Sequence, residues 1–337
     1  MSQRLKICHD RVLPTELLRP QSLVRRRGMS RAVLEFRKMW VNGSRLRVRF
    51  LGGTPSQQKT ARDQAAWWTP HANLTFEFGN DLDAEIRIAF DENDGAWSYI
   101  GTDARQIPRN APTMNLGFLD GGTAAHEFGH AIGLGHEHQN PSGGIQWIED
   151  AVIQNLSGPP NNWDENEIRH NVLQKYTVDQ IRGTKFDPES IMLYFFPGSW
   201  VRGGKGTDAN EILSTLDKGF IASRDAYPRD KRPITDVKIG AAAATRAKID
   251  KPGEEDIFRF SVTKSGRYVI QTGGKSDVVL KLFGPDSETS LIAEDDDSGV
   301  AANARISAAL VPGEYLAQVR HVKPSATGAY TLRVDRA

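Results

Sequence analysis

The order of hydrophobic and polar positions divides the chain into two stretches of different character. Up to about residue 233, alternating segments are mixed with segments of helical period, which predicts an α+β fold. After residue 233, short alternating segments recur between glycine-rich turns, as in a small β-sandwich. We therefore predict an N-terminal segment over 1–30, a first domain over 31–233, a linker over 234–250 and an all-β sandwich domain over 251–337.

In the first stretch the pattern predicts a twisted mixed sheet and several helices. Ile86, Ile88 and Phe90 recur with a period of two, as in a strand with one buried face. Thr123 is expected to cap a further helix that follows it. The predicted strands cover residues 46–51, 74–78, 85–90, 97–100 and 113–118, and the other predicted helices cover 57–68, 165–176 and 217–227.

In the second stretch, period-2 alternation predicts six strands. Glycines at or near the strand ends supply the turns that antiparallel strands require. The predicted strands cover residues 257–262, 268–272, 278–283, 305–311, 315–321 and 329–334.

The composition is that of an ordinary globular protein. Hydrophobic residues make up 39% of the 337 residues, which is enough for a sizeable core. The 43 basic and 42 acidic residues leave a net charge of +1, so bulk charge indicates no nucleic-acid partner. No stretch approaches the ~18 apolar residues of a membrane-spanning helix. We expect a monomer with no nucleic-acid partner and no membrane span.

One eleven-residue run in the first domain has the spacing of a metal site. His126 and His130 lie four residues apart, so a helix places both imidazoles on one face, with Glu127 beside them. Gly133 permits a sharp turn that brings back His136 as a third nitrogen ligand. Three histidines leave a coordination position open, which is typical of a catalytic Zn²⁺ site. We expect one zinc ion and assign Glu127 as the general base; histidines on a solvated helix are the alternative.

This run resembles the zinc signature of the metzincin metallopeptidases, and the pair His136-Glu137 is most similar to the astacin group. The segment from Ser190 to Tyr194 resembles the astacin Met-turn, which lies downstream of the zinc motif. The resemblance implies that Met192 forms an apolar floor beneath the metal. It also implies that Tyr194 is a fifth ligand that can swing away and stabilise an oxyanion. Core packing is the alternative for both residues.

Residues 95–101 are similar to the upper edge strand of astacins. The resemblance implies that an extended polypeptide substrate lies antiparallel to the backbone there; an ordinary strand with a core tryptophan is the alternative. The residues concerned are Ala96, Trp97, Ser98 and Tyr99.

The resemblance implies a metzincin-type catalytic domain with its active-site helix, and hence a zinc-dependent endopeptidase. Glu127 would take a proton from a zinc-activated water and return it to the leaving amine. Two alternatives stay open. One is an inactive zinc-binding or adhesion protein whose β-sandwich mediates binding, and the other is a metal-dependent hydrolase with a non-peptide substrate.

The second domain resembles the bacterial pre-peptidase C-terminal domain, through residues 256–260, 266–268, 294–299 and 312–315. This resemblance implies an extracellular protein. The N-terminus has no apolar run of the kind found in signal peptides, so a cytoplasmic location stays open. The acidic run from Glu294 to Asp297 could bind Ca²⁺ through its carboxylates, although its spacing favours a solvated turn.

Cys8 is the only cysteine, so no intramolecular disulfide forms, unlike in most astacins. A thiolate near the N-terminus could bind the zinc and hold the enzyme latent, as in other metzincins with a cysteine switch. The residues around Cys8 match no such motif, so the sequence favours a cysteine without a role.

Overall fold

The computed structural model describes residues 8, 11, 38–158, 161–175, 185–223, 226–229, 233–323 and 325–337. The predicted N-terminal segment 1–30 lies outside these residues except for Cys8 and Arg11. The described residues form one hydrophobic core around a mixed sheet with helices and another between two sheets. The predicted fold class, an α+β catalytic-type domain followed by an all-β sandwich, is confirmed.

The first region contains a five-stranded sheet of order β2-β1-β3-β5-β4. Its strands are β1 (Arg45–Phe50), β2 (Thr75–Gly79), β3 (Ile86–Ala89), β4 (Ala96–Ser98) and β5 (Met114–Leu116). The pairings are parallel except that of β4, which runs antiparallel to β5 at the edge.

Short helices surround this sheet. The α-helices are α1 (Pro55–Ala65), α2 (Thr123–Ala131), α3 (Glu149–Leu156), α4 (Glu165–Ile168) and α5 (Thr215–Ile221). Single 3₁₀ turns cover Gly101–Gln106, Glu137–Gln139 and Gly198–Trp200, and a π-helical turn covers Arg169–Leu173. Among the described residues, no helix has both the length and the apolar character needed to cross a membrane.

Local sequence accounts for the elements that carry the site. Leu46 and Val48 point from β1 into the core and are almost fully buried. Thr54 and Gln57 cap each other's backbone N–H at the start of α1, so the helix begins there. The apolar side of α2 packs against the sheet, where the ring of Phe128 lies 4.9 Å from that of Phe76. The opposite side of α2 is thereby left for the site.

Several predicted boundaries differ from the observed ones. Gly122, not Thr123, is the N-cap of α2, and the Thr123 hydroxyl donates to the carbonyl of Asp120. The helix predicted over 165–176 is α-helical only through Ile168, and α3 was not predicted because its segment is short and polar. The hydrophobic pattern of a sequence defines the middle of a helix or strand better than its ends.

The second region is a sandwich of two sheets, of orders β11-β10-β13-β8-β6 and β12-β9-β14-β7. Its described residues form nine strands, where the sequence predicted six. The three additional strands are β6 (Ile234–Asp236), β7 (Thr245–Ile249) and β11 (Leu291–Asp295). The six predicted ones are β8 (Glu255–Val262), β9 (Gly266–Gly274), β10 (Val278–Phe283), β12 (Arg305–Leu310), β13 (Gly313–His321) and β14 (Gly328–Arg336).

Two strands, β6 and β7, lie within the predicted linker over 234–250 and belong to the sandwich sheets. All three residues of β6 are exposed, so this strand carries no alternation that the sequence could show. We propose that the sandwich unit begins near residue 234.

The two regions pack against each other. Val41 of the first region lies in one apolar cluster with Ile257 and Phe283 of the sandwich. Fully buried Glu85 accepts a hydrogen bond from the Thr289 hydroxyl at 2.8 Å across the same contact. Apolar burial and a satisfied buried carboxylate therefore join the regions.

Candidate metal centre

The helix α2 and the turn that follows it bring three imidazoles together. Nε2 of His130 lies 3.1 Å from Nε2 of His126 and 2.9 Å from Nε2 of His136. The turn depends on Gly133, whose φ of +104° is costly for any residue with a side chain. The chain then reverses direction, with the Leu134 N–H donating to the carbonyl of Gly129 at 3.0 Å. The predicted spacing therefore produces a convergent site.

Backbone carbonyls orient two of the three rings. Nδ1 of His126 lies 2.7 Å from the carbonyl oxygen of Ile191, and Nδ1 of His130 lies 2.8 Å from that of Leu134. A carbonyl only accepts, so each Nδ1 carries the proton and each Nε2 presents a lone pair to the centre. This is the tautomer that a metal ligand requires.

These residues fit a zinc ion. Nitrogen atoms of the three histidines and the sulfur of Cys8 lie within 4.8 Å of one another, and all four side chains are buried. Imidazole nitrogen and thiolate sulfur are ligands that zinc prefers, at about 2.0–2.1 Å and about 2.3 Å. Within the described ranges this is the one group of at least three His, Cys, Asp or Glu residues that could hold a metal.

Cys8, for which the sequence favours no role, lies next to the three histidines. Its Sγ lies 3.9 Å from Nε2 of His136, and its carbonyl accepts a hydrogen bond from the Tyr194 hydroxyl at 3.0 Å.

Glu127 and Tyr194 lie beside the histidines. Glu127 is fully buried on α2 beside His126. The ring of Tyr194 stacks on that of His126 with centroids 5.0 Å apart, and its hydroxyl is in close contact with Nε2 of His136. A buried carboxylate and a phenol therefore flank the imidazoles.

Met192 lies beneath α2. A Cβ added to Gly129 would lie 2.5 Å from the Met192 sulfur, so glycine is needed for this close approach. The carbonyl of Met192 accepts from the N–H of Glu137, next to the third histidine. Burial raises the pKa of Glu137 to about 7, although its carboxylate accepts hydrogen bonds from the Asp187 N–H and the Asn140 amide.

Three side chains that the sequence analysis missed support the site. Gln64 of α1 accepts from the Ala125 N–H at 3.0 Å near the start of α2. The Tyr227 hydroxyl donates to the carbonyl of Ile132 at 2.7 Å, at the C-terminal end of α2. Asp217 accepts from the Ile191 N–H at 2.8 Å in the Met-turn, and burial raises the pKa of its carboxyl.

Of these three residues, only Asp217 belongs to a sequence pattern that indicates a structural role. Ser214 and Asp217 have the spacing of a capping box, and they do cap α5. The spacing does not reveal that the same carboxylate reaches the Met-turn. Gln64 and Tyr227 act through contacts that are distant in sequence.

The substrate-binding segment inferred from the resemblance is an edge strand. Ala96, Trp97 and Ser98 form β4, and Tyr99 follows it. Trp97 packs edge-on against Tyr99, with ring centroids 5.7 Å apart, in a small cluster with Ile107. Among the residues that the structure describes, the backbone of β4 pairs only with β5.

The calcium site considered for residues 294–297 is not supported. The carboxylate of Asp295 accepts from the N–H of Ser298, from its hydroxyl and from the Arg305 N–H. This carboxylate therefore closes a turn within the protein.

Comparison with known proteins identifies both parts. The model of the Astacin peptidase family matches residues 33–199, and that of the bacterial pre-peptidase C-terminal domain matches residues 254–336. A solved structure of myroilysin is 36% identical, with a TM-score of 0.55; the match covers 58% of this chain and 98% of that one. The pre-peptidase C-terminal domain of a Bacillus anthracis collagenase is 16% identical, with a TM-score of 0.26, over 31% of this chain and 99% of that one.

Blastula protease 10 of Paracentrotus lividus is 28% identical over 164 residues, which is 46% of this chain. The chain spans 24% of the length of that curated relative. The family matches, the likeness to myroilysin and the three converging histidines lead to one conclusion: the chain belongs to the astacin family of metallopeptidases.

Proposed function

We propose that this protein is a zinc-dependent endopeptidase in which Glu127 is the general base. The convergence of His126, His130 and His136 beside the buried Glu127 carries this proposal. When bound, zinc supplies a Lewis acid that lowers the pKa of a water to about 7 and polarises a carbonyl.

Glu127 is placed to move protons. It follows His126 on α2, which offsets its carboxylate by about 100° around the helix from the first ligand. From there it takes a proton from water and delivers it to the nitrogen of the leaving amine. Burial excludes competing solvent and holds the carboxylate in one position.

Tyr194 and β4 act on the substrate. The Tyr194 hydroxyl lies at the histidines, where a phenol O–H can donate to the oxyanion that develops on the carbonyl. The side of β4 that faces away from β5 binds an extended polypeptide as an added strand, with affinity from backbone hydrogen bonds. Met192 keeps the floor of the site apolar.

Cys8 holds the protein in a latent state. With zinc bound, its thiolate would add one sulfur to the three imidazole nitrogens and would occupy the position that water needs. We also place this protein outside the cell as a monomer. The match to a bacterial pre-peptidase C-terminal domain supports the extracellular location.

The test is Glu127→Gln in the full chain, measured on a peptide library in a Cys8→Ser background. Loss of the base should lower kcat/KM by about a thousandfold, while one zinc per chain is retained. Glu92→Gln, an exposed carboxyl outside the site, is the matched control. If the zinc-loaded Cys8→Ser chain cleaves no peptide, the endopeptidase proposal fails and a zinc-binding protein is the better description.

Latency has its own test. Cys8→Ser should raise the activity of the freshly purified, zinc-loaded chain by at least about tenfold, because serine is a poor zinc ligand. An organomercurial added to the wild-type chain should do the same. The role of Cys8 would be contradicted if Cys8→Ser were only as active as the wild-type chain, or if the organomercurial left the wild-type activity unchanged.

A further inference from the structure

The turn before β4 holds a carboxylate and an aromatic face in a fixed arrangement. The indole N–H of Trp97 donates to Oδ2 of Asp94 at 2.9 Å, and the Asp94 N–H donates to the carbonyl of Asp91 at 3.2 Å. Trp97 is itself buried against Tyr99 and Ile107. Asp94 therefore presents its second oxygen, Oδ1, from a position set by the strand.

A guanidinium occupies this arrangement. Nη2 of Arg11 lies 2.6 Å from Oδ1 of Asp94, and the guanidinium carbon lies 4.2 Å from the centroid of the Trp97 ring. An ion pair and a cation–π contact on the same group are what a receptor for a planar cation provides. Both side chains of the ion pair keep about a third or more of their surface exposed, so a different cation can reach the same place.

The occupant comes from the part of the chain that reaches the histidines. Arg11 lies three residues after Cys8, and Cys8 contacts His136 and Tyr194. Three extended residues span about 10 Å. The two described residues of the N-terminal segment therefore touch the metal centre and the turn before β4, where a bound substrate also has to lie.

We propose that Asp94 and Trp97 form a substrate subsite that selects an arginine or lysine side chain about three residues from the scissile bond. Arg11 fills this subsite in the latent protein, and a basic side chain of the substrate takes its place. The proposal rests on the proposed endopeptidase function. Arginine is favoured over lysine, because the planar guanidinium can stack on the indole while it pairs with the carboxylate.

The test uses the full-length chain carrying Cys8→Ser and Arg11→Gln, which releases both N-terminal contacts. Two peptides are compared by kcat/KM, and they differ only in carrying arginine or glutamine at the position about three residues from the scissile bond. Asp94→Asn should lower the preference for arginine by about tenfold, since the carboxylate charge that pairs with the guanidinium is lost while the side chain keeps its size. Glu92→Gln removes the same charge from the same turn and should leave the preference unchanged.

The outcomes separate the two proposals. If the chain cleaves peptides with no basic preference, or if Asp94→Asn and Glu92→Gln behave alike, the subsite is overturned and the endopeptidase stands. If no peptide is cleaved, the endopeptidase proposal itself fails.

A second measurement needs no activity. In the zinc-loaded chain with Cys8 intact, Arg11→Gln and Asp94→Asn should each speed alkylation of the Cys8 thiol by about threefold, as expected for a partly exposed ion pair. The double variant should be no faster than either single one. Additive effects, or no effect of Asp94→Asn, would overturn the pairing of these side chains.

Discussion

Buried polar side chains have different consequences in the two regions of the molecule, because only the first region holds the candidate metal centre. Around the metal centre, Gln64, Asp217 and Tyr227 bond to the backbone at the ends of α2 and in the Met-turn. In the sandwich, buried Glu255 bonds to the side chains of Gln318 and Arg320 on the neighbouring strand. Strand ladders satisfy their own backbone, whereas the irregular segments of both regions need side chains as partners, as Asp295 shows in a turn of the sandwich. Loss of a buried polar group should therefore affect activity in one region and only stability in the other.

The largest expected effect comes from breaking the contact between the regions. Val41→Asp places a charge in the apolar cluster with Ile257 and Phe283, which should lower the free energy of unfolding by about 3–5 kcal/mol. Val311→Asp, at a half-exposed valine, should change it by less than about 0.5 kcal/mol. Denaturant unfolding followed by tryptophan fluorescence measures both. If Val41→Asp unfolded at the same denaturant concentration as the wild-type chain, the contact between the regions would not stabilise them.

A matched pair of tyrosines separates activity from stability. Tyr227 donates to the carbonyl of Ile132 and accepts from the Trp40 N–H, while Tyr315 of the sandwich bonds the N–H and carbonyl of Val311. Tyr227→Phe should cost about 2 kcal/mol and weaken zinc binding by about tenfold, since α2 loses a partner at its end. Tyr315→Phe should cost about 1 kcal/mol and leave zinc affinity unchanged. Equal zinc affinities in both variants would remove the distinction between the regions.

The smallest expected effect concerns a single hydroxyl. Thr289→Val removes the donor to buried Glu85 across the contact and should cost about 0.5 kcal/mol, the low end of the range for one hydrogen bond. Arg47 still donates to Glu85 from its backbone N–H and its guanidinium, so the loss is partly compensated. Thr331→Val, on the sandwich away from the contact, is the control. Thermal unfolding that is the same for both variants would count against the role of Thr289.

Prediction from sequence succeeded where the signal is local. The three histidines fall within eleven residues, so helical period and one glycine predict their convergence, which the structure shows. The alternation of β8 to β10 and β12 to β14 likewise predicted strands that the structure contains. The exposed strand β6 has no such pattern, so the sequence predicts a linker there.

Prediction failed where a side chain acts across the chain. Gln64 reads as a polar residue near the end of a helix, and only the fold shows that it meets Ala125, 61 residues later. Cys8 has no motif around it, and only the structure places it 3.9 Å from Nε2 of His136, 128 residues away. Neither contact has a period or a spacing that a sequence can display.

The hydrogen bond from His126 to Ile191 has a consequence for synthesis of the chain. All three imidazoles emerge from the ribosome together, but the carbonyl that fixes the His126 ring emerges 65 residues later. Loss of such an orienting partner typically weakens metal binding by about 10–100-fold. A nascent chain that ends before residue 191 therefore has its ligands but not its full affinity, so tight zinc capture waits until the Met-turn has been made.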